Sequence, residues 1–440
     1  MKSRNGTSGV LGAPLTRRKV LAGAAAGGLA LALGGTRVFA AAVDEEIRIG
    51  FLSPRSGNLG LYGESDPYVL GLARQALERG LTIGGRSYRV RIIDRDTQSS
   101  PSRASQLASE MITKDHVHLI LAASTPEVTN PVADACEAAG VPNLATEVPW
   151  ESFYFARGAK PGEPSPFKWT YVYSFGTSQF VEAYLSTFAS LKTNRKIGVL
   201  YPNDADGNAV RANLAPQLAK HGYTIVDPGP YQDGTSDYSS QIAMFKREKC
   251  QIFNAVALPP DFAAFWRQAA QLHYTDEVVI AEVAKAIQFQ TQIQSLGSIG
   301  RNLSCTTSWS PAFPYKSSLT GTTGRALAAG YEKASGKYWN QGLGVTLALI
   351  DAGIVALRHA ADPTDHGAIR DAIAHLDTTT MIGPCNFRDG PYPNVAIAPQ
   401  IGTQWITAPA GSKFPLAQVT IEHAADPQVP IEHKLVPYNA

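Results

Sequence analysis

The sequence predicts an α/β fold of two doubly wound lobes, in which helices cover both faces of a mostly parallel sheet. Apolar runs of strand length alternate along the chain with stretches of helical period, the pattern of strands joined by crossover helices. A segment at 149–169, rich in Pro, Gly and aromatic residues, interrupts this alternation before it begins again. The chain of 440 residues also exceeds what one hydrophobic core usually serves. We therefore expect two lobes with repeated chain crossings between them.

The first forty residues are typical of a secretion signal rather than of a buried helix. Arg17 and Arg18 form a twin-arginine pair, and an apolar stretch rich in Ala, Gly and Leu follows at 20–33. This stretch is shorter than the ~20 residues that a membrane span needs. Residues 1–40 are therefore expected to be a signal peptide that directs the protein to the periplasm. The arginine pair favours the twin-arginine route, although general secretory signals also contain such pairs.

The chain that follows the signal carries a small negative charge. Six of the 39 Lys and Arg residues and none of the 37 acidic residues lie within 1–40, which leaves 33 basic against 37 acidic residues and a net charge of −4. No basic cluster remains, so we expect no nucleic-acid partner. The cysteines lack CxxC or zinc-type spacing, and buried free thiols are the expected state although export permits a disulfide. They are Cys136, Cys250, Cys305 and Cys385.

The first alternating series lies between residues 47 and 145. Its helices carry apolar residues at helical spacing, and one of them is expected to begin behind a cap at Ser100 with Pro101 in its first turn. Helices are expected near 69–76, 100–112 and 131–139. Strands are expected at 47–53, 88–94, 117–122 and 142–145.

The second series begins after the interruption and ends in a helical region. Its strands are expected at 170–173, 196–201, 224–227, 252–257, 278–281 and 303–308. Helices are expected between them at 177–191, 207–220 and 261–272, followed by helices at 322–335, 343–361 and 365–375 and a strand at 380–387.

Several segments, in the right order along nearly the whole chain, resemble the branched-chain amino-acid-type periplasmic binding proteins of ATP-driven (ABC) importers. The segments include IGFLSPRSGNLGLYG at 49–63, IIDRDTQSSPSRASQLASEMI, YQDGTSDYSSQIAMFK, IGPCNFRDG at 382–390 and IGTQW at 401–405. The resemblance implies the periplasmic binding protein type I fold, with two Rossmann-like lobes joined by three crossovers and a ligand cleft between the lobes.

The resemblance also implies the division of the chain. The first lobe would comprise 44–148 plus 310–377, and the second 149–309 plus 378–440. The crossovers would lie near 148–150, 309–314 and 378–381. The expected function is that of a monomeric, hinged solute-binding protein, which captures an amino acid or a related small carboxylate or aromatic compound and delivers it to a membrane permease.

Candidate ligand contacts in the first lobe follow its strands, because ligands of open α/β sheets lie beyond the carboxyl ends of the strands. Ser124 and Thr125 occupy the place where the resembled family holds a ligand carboxylate, although such a pair before a proline is often only a helix cap. Thr146 and Glu147 lie in the next loop, where Glu147 could instead form a solvated ion pair. Tyr62 occupies the place where the resembled family often sets an aromatic ring against the apolar part of the ligand, the alternative being a partly buried tyrosine on a loop.

Candidate contacts in the second lobe depart in part from the amino-acid-binding pattern. Asp206 lies in NDADG, close to a position where leucine-type binders have tyrosine, which makes leucine itself doubtful as the ligand. The resemblance implies that Glu282 receives a ligand ammonium group, the alternative being that it caps the helix expected at 284–296. Trp150 and Trp309 could form a pocket wall for a flatter or longer ligand, or could only pin the inserted segment to the surface.

Two other classes of function are weighed against a transport protein. An enzyme has little support, because the chain lacks GxSxG, HExxH, CxxC and Walker A motifs, and no catalytic residue, metal site or cofactor is expected. His116 and His118 have no third spaced ligand and are usually structural in such a setting. A ligand sensor that docks to a signalling receptor remains the other alternative, since fold does not fix function.

Overall fold

The structure is a computed structural model that describes residues 45–440. The signal expected at 1–40 lies outside these residues. Within them the chain forms two seven-stranded sheets and one two-stranded hairpin, and helices pack on both faces of each large sheet. The expected two-lobed α/β fold is confirmed.

The strands of the described residues are sixteen in number. In chain order they are β1 Glu45–Ser53, β2 Leu81–Ile83, β3 Arg86–Asp96, β4 Leu119–Ala123, β5 Asn143–Thr146, β6 Thr170–Ser174, β7 Lys196–Leu200, β8 Thr224–Val226, β9 Ile252–Ala255, β10 Ile280–Val283, β11 Ser304–Thr307, β12 Asp377–Thr380, β13 Gly383–Asn386, β14 Val395–Ile397, β15 Ile401–Thr407 and β16 Leu416–Glu422.

The α-helices of the same residues are twelve in number. They are α1 Asp66–Ala76, α2 Pro101–Thr113, α3 Pro126–Ala139, α4 Trp150–Tyr154, α5 Thr177–Ala189, α6 Ala205–Lys220, α7 Ser239–Arg247, α8 Pro259–Gln271, α9 Gln290–Ser295, α10 Gly324–Ser335, α11 Gly342–His359 and α12 His366–Ala374.

The first sheet has the order β14-β6-β5-β4-β1-β3-β2, and its strands are parallel except for β2, which is antiparallel to β3. Its central strands are continuous apolar runs because helices cover both faces, and every residue of β4 is buried. Helices α2 and α3 pack on one face, while α1, α10, α11 and α12 pack on the other.

The second sheet has the order β16-β15-β11-β10-β9-β7-β8. Strands β7 to β11 are parallel, and β15 and β16 extend the sheet as antiparallel strands. Helices α7 and α8 cover one face and α5 and α6 the other, so this lobe has a buried core on each side of its sheet.

Helix α11 is the most apolar helix in the described part of the chain. It is long and apolar enough to cross a membrane, but 89% of it is buried inside the protein. Gly353 lets it approach the first sheet closely, because a Cβ at this position would lie 3.1 Å from Leu121. Helix α11 is therefore the central core helix of the first lobe.

The chain passes between the two sheets three times, as expected, but two of the passages lie elsewhere. One passage follows β11, near the expected 309–314, whereas the other two follow β6 and β14 instead of lying at the expected 148–150 and 378–381. The strand at 170–174, expected in the second series, pairs with β5 in the first sheet. Alternation along the chain identifies a strand but not the sheet that it joins, so the lobe boundaries expected at 149 and 378 do not follow sheet membership. All four cysteines are buried free thiols, as expected.

Candidate functional site

A cavity lies between the lobes where strands of both sheets reach their carboxyl ends. Its walls come from the segments that follow β1, β4, β5 and β6 in the first sheet and β7, β9 and β10 in the second. They are formed by Tyr62, Thr125, Glu147, Pro149, Phe175, Phe180, Asp206, Val210, Val256, Ala284, Lys285, Gln288, Thr306, Gln341 and Gln400. This is the position expected for a ligand of an open α/β sheet.

The cavity is small in this conformation. Its volume is about 40 Å³, far below the roughly 300–1,000 Å³ of typical small-molecule pockets. Tyr62 from the first lobe meets Phe289 from the second in an edge-to-face contact with ring centroids 5.2 Å apart. Leu258 and Phe289 both pack into the apolar cluster of the first lobe that contains Tyr62. The lobes are therefore closed on each other, and a ligand of amino-acid size requires them to separate.

The first-lobe wall is built at the start of α3. Ser124 has a φ of 112°, a conformation rare for a residue with a side chain, and it directs the chain from β4 into the helix. Thr125 is the N-cap residue of α3, yet its hydroxyl makes no cap hydrogen bond and has no partner among residues 45–440. The unpartnered hydroxyl and the helix N-terminus together favour a ligand oxygen that carries negative charge.

Glu147 lines the cavity immediately after β5. Its φ of 61° is left-handed, and its carboxyl accepts a hydrogen bond from the amide of Gln341 at 3.1 Å. Burial, assisted by the charge of Asp66, raises its pKa to about 8. Glu147 therefore presents a mostly neutral carboxyl group to the cavity at pH 7. Thr146 is turned away, since its hydroxyl donates to the Tyr173 carbonyl at 2.7 Å.

The second-lobe wall is dominated by an ion pair between Lys285 and Asp206. Asp204 accepts a hydrogen bond from the Gly207 amide at 2.6 Å and caps α6, which fixes Asp206 in the first turn of that helix. Burial opposes the charge of Lys285, but Asp206, Asp204 and Glu127 together raise its pKa well above the ordinary value. The lysine is therefore a fixed cation in the cleft.

The sequence analysis missed Lys285 and the three glutamines that line the cavity, Gln288, Gln341 and Gln400. Gln341 donates to both Glu147 and Gln288, and its carbonyl oxygen accepts from the Ser308 amide at 3.0 Å. Gln400 donates to the Ser308 hydroxyl at 2.8 Å. These residues come from separate segments, so no spacing signal unites them. Lys285 alone had a usable signal, because it follows an apolar strand by two residues.

Besides Thr146, three expected contacts lie away from the cavity. Glu282 is fully buried within β10, because this strand begins at Ile280 and not at Val278 as expected, so that Glu282 does not reach the carboxyl edge. Trp309 is fully buried in the core of the first lobe, 5.7 Å from the ring of Trp339. Trp150 packs in an aromatic cluster with Tyr154 and Phe155 of the same interrupting segment and with Tyr392. This placement favours the structural alternative for both tryptophans.

Apart from Thr146, the remaining expected contacts converge on the cavity. Tyr62, Thr125, Glu147 and Asp206 line it, and Ser124 adjoins Thr125 with its own hydroxyl buried and unpartnered within 45–440. Over the same residues, no group of three or more His, Cys, Asp or Glu side chains is placed to hold a metal ion.

Comparison with known proteins gives the family and the fold. The sequence model of a family described as periplasmic binding protein matches residues 46–397. An uncharacterized protein of Methanocaldococcus jannaschii is 23% identical over 194 residues, which are 44% of this chain and 45% of that protein, so the match spans less than half of the relative.

Three solved structures share the fold at low sequence identity. A leucine-binding protein of Thermotoga maritima has a TM-score of 0.68 at 17% identity, over 84% of this chain and 97% of that one. A branched-chain amino-acid transporter substrate-binding protein of Streptococcus pneumoniae, in complex with isoleucine, has a TM-score of 0.64 at 16% identity. The match covers 89% of this chain and 100% of that one. An ABC transporter solute-binding protein of R. palustris, in complex with 4-hydroxybenzoate, has a TM-score of 0.68 at 17% identity. The match covers 86% of this chain and 97% of that one.

Proposed function

This chain belongs to the periplasmic binding protein family, and we propose that it is the extracytoplasmic solute-binding component of an ABC importer. It captures a small organic carboxylate by closing its two lobes and presents the closed complex to a membrane permease. It works as a hinged monomer without catalysis or cofactor.

The observation that carries this proposal is the set of buried polar groups without partners that surround the interlobe cavity. Thr125 contributes one such group from the first lobe, while Thr306 and Gln400 contribute others from the opposite side. Buried polar atoms in proteins almost always have hydrogen-bond partners, and leaving one without a partner costs roughly 1–3 kcal/mol. A ligand that bridges the lobes supplies those partners and so stabilises the closed form.

A carboxylate is the group that the first-lobe side fits best. The hydroxyls of Ser124 and Thr125 stand at the start of a fourteen-residue helix, where the aligned peptide dipoles favour an anion. The cavity also has apolar walls from Phe175, Phe180 and Val210, which fit a hydrocarbon or aromatic body. The structural neighbours bind isoleucine in one case and 4-hydroxybenzoate in another, so both aliphatic and aromatic acids belong among the candidates.

The experiment combines ligand recovery with a matched pair of variants. Native mass spectrometry of the purified protein identifies what is bound, and thermal-shift screening of amino acids and carboxylic acids follows. A ligand at a hundred times its Kd adds about 2.7 kcal/mol to the free energy of unfolding. Small-angle scattering with and without that ligand then measures the hinge movement.

Thr125→Val and Thr323→Val separate binding from helix capping. Both residues are N-caps, but only Thr323 makes the cap hydrogen bond, to the Ala326 amide at 3.4 Å, and only Thr125 lines the cavity. We expect Thr125→Val to weaken ligand binding about tenfold with little change in stability, and Thr323→Val to lower stability by roughly 0.5–2 kcal/mol with unchanged affinity. Catalytic turnover of the recovered ligand, or equal affinity in both variants, would contradict the proposal.

A further inference from the structure

We infer that the ligand carries a hydroxyl group, and not an ammonium group, at the second-lobe end of the cavity, where Lys285 and Asp206 bind that hydroxyl together. This inference rests on the proposed function and narrows its ligand to the class of amine-free hydroxy acids. It makes Lys285 the residue that determines specificity.

The first step is the hydrogen-bonding capacity of Lys285. Its ammonium group has three N–H donors and no acceptor. Its side chain is only 13% exposed, it pairs with Asp206, and the oxygen of Asp204 is 3.7 Å away. No other hydrogen-bond partner for its Nζ exists in the described chain. At least one donor therefore remains for an acceptor atom on the ligand.

The second step is the remaining capacity of Asp206. Its carboxylate is 2% exposed and can accept several hydrogen bonds, but apart from Lys285 neither oxygen has a partner within residues 45–440. A ligand group that meets both residues must therefore accept from Lys285 and donate to Asp206. A hydroxyl group does both with one oxygen atom.

The third step is the exclusion of the charged alternatives. An ammonium group has no acceptor for Lys285 and would face its positive charge, whereas a second carboxylate would face the negative charge of Asp206. A carbonyl oxygen would satisfy Lys285 and leave Asp206 without a donor. A neutral hydroxyl group accepts a hydrogen bond from Lys285, donates one to Asp206 and leaves the ion pair between them intact.

The other charges around Lys285 do not overturn this balance. Asp204 already accepts from the Gly207 amide, and Asp204 and Asp206 both lie at the N-terminus of α6, whose positive end partly offsets their charge. Glu127, which faces Lys285 from the first lobe, lies likewise in the first turn of α3. Tyr62 adds no charge, since burial raises the pKa of its hydroxyl far above neutrality.

The test uses matched acids that differ at one substituent. Calorimetry compares 4-(hydroxymethyl)benzoate with 4-methylbenzoate and 4-(aminomethyl)benzoate, 2-hydroxyisocaproate with isocaproate and leucine, and lactate with propionate and alanine. In the set that binds, we expect the hydroxy acid to bind about ten- to a hundredfold more tightly than both partners, the range for a hydrogen bond to a charged group.

Two variants and one control assign that preference to the ion pair. Lys285→Met and Asp206→Asn should each lower the affinity for the hydroxy acid about tenfold or more and so reduce its preference over the deoxy acid, with circular dichroism reporting correct folding. Lys337→Met breaks an exposed ion pair with Glu64 and should change neither affinity.

The outcomes distinguish this inference from the proposed function. Equal or tighter binding of the amino or deoxy member overturns the hydroxy-acid inference and leaves the solute-binding function in place. Failure of all nine acids also overturns the inference, and the compound recovered by mass spectrometry then decides the proposed function by itself. An unchanged preference in both variants would overturn the assignment to Lys285 and Asp206.

Discussion

The indole of Trp309 lies against the backbone of helix α11 at Gly344, so closely that a Cβ on Gly344 would come within 2.2 Å of the ring. This contact joins the segment that follows the second-lobe strand β11 to the central helix of the first lobe. Only glycine permits such an approach at this position. Trp309 thus anchors one of the three chain passages in the core.

We expect Trp309→Ala to lower the free energy of unfolding by about 3–5 kcal/mol, the usual range for removing a large buried aromatic side chain. Urea denaturation followed by circular dichroism measures the loss. Trp169→Ala is the control, because Trp169 is only half-buried and should cost clearly less. Equal losses in the two variants, or a loss of affinity without a loss of stability, would restore a ligand role for Trp309.

The stability of the protein should depend on pH through Glu147. Its pKa in the folded state is about 8, against an ordinary value of 4.5. Between these values the folded protein keeps a proton that the unfolded chain has released, so this group's contribution is fully present below about pH 4.5 and is lost as the pH rises through 8. Glutamine does not titrate, so Glu147→Gln removes this pH-dependent loss of stability.

We therefore expect Glu147→Gln to gain stability relative to the parent protein between pH 5 and pH 8, by a few kcal/mol at most, on the order of the pKa shift converted to free energy. Denaturation curves at both pH values measure the difference. The exposed Glu163→Gln serves as the control and should show no such trend. A stability difference that is the same at both pH values would show that Glu147 is ionised in the folded protein.

The contact between Tyr62 and Phe289 should hold the empty cleft closed. An edge-to-face aromatic pair adds roughly 0.5–1.5 kcal/mol beyond the burial of its area, and Phe289 is only 4% exposed. Phe289→Ala should shift the ligand-free protein towards the open form and increase its radius of gyration in small-angle scattering. Tyr331→Ala removes an aromatic pair within the first lobe, with Tyr68, and should leave the radius unchanged. Identical scattering by the parent protein and both variants would show that the contact between Tyr62 and Phe289 does not hold the cleft closed.

Replacement of Glu282 should leave ligand binding unchanged. The carboxyl is fully buried within β10, and burial together with Glu422 raises its pKa well above the ordinary value, which favours its neutral form. Glutamine has nearly the same shape and carries no charge. Calorimetry should give Glu282→Gln the affinity of the parent protein for every acid tested. A tenfold loss towards amino acids alone would return Glu282 to the role expected on sequence grounds.

The sequence predicts the fold well because the signals for its strands and helices are local. The apolar run at 119–123 and the stripe of α2 behind Ser100 each identify their element without tertiary information. The sheet that a strand joins is a non-local property, which is why the strand at 170–174 was expected in the wrong lobe.

The site was predicted less completely for a related reason. Thr125 and Glu147 directly follow strands of the first sheet and could be found from position. Strand β10, however, spans Ile280–Val283 instead of the expected 278–281, and this shift of two residues places Lys285, and not Glu282, at the cavity. Gln341 reaches the site from the turn between α10 and α11, and Gln400 from the chain passage between β14 and β15, and neither segment has a periodic signal in the sequence.

The pairing of β14 with β6 has a consequence for biosynthesis. Val395 pairs with Val172, so β6 gains its outer neighbour only after about 220 further residues have been made. At synthesis rates of roughly 5–20 residues per second, the growing chain carries an open strand edge for about ten to forty seconds. The exposed edge would be the uncharged segment TYVYS, whose aromatic and β-branched residues make it prone to strand addition by other chains. Production of this protein should therefore be limited by aggregation of nascent chains, and lower temperature or added chaperones should raise the soluble yield more than any stabilising substitution in the finished fold.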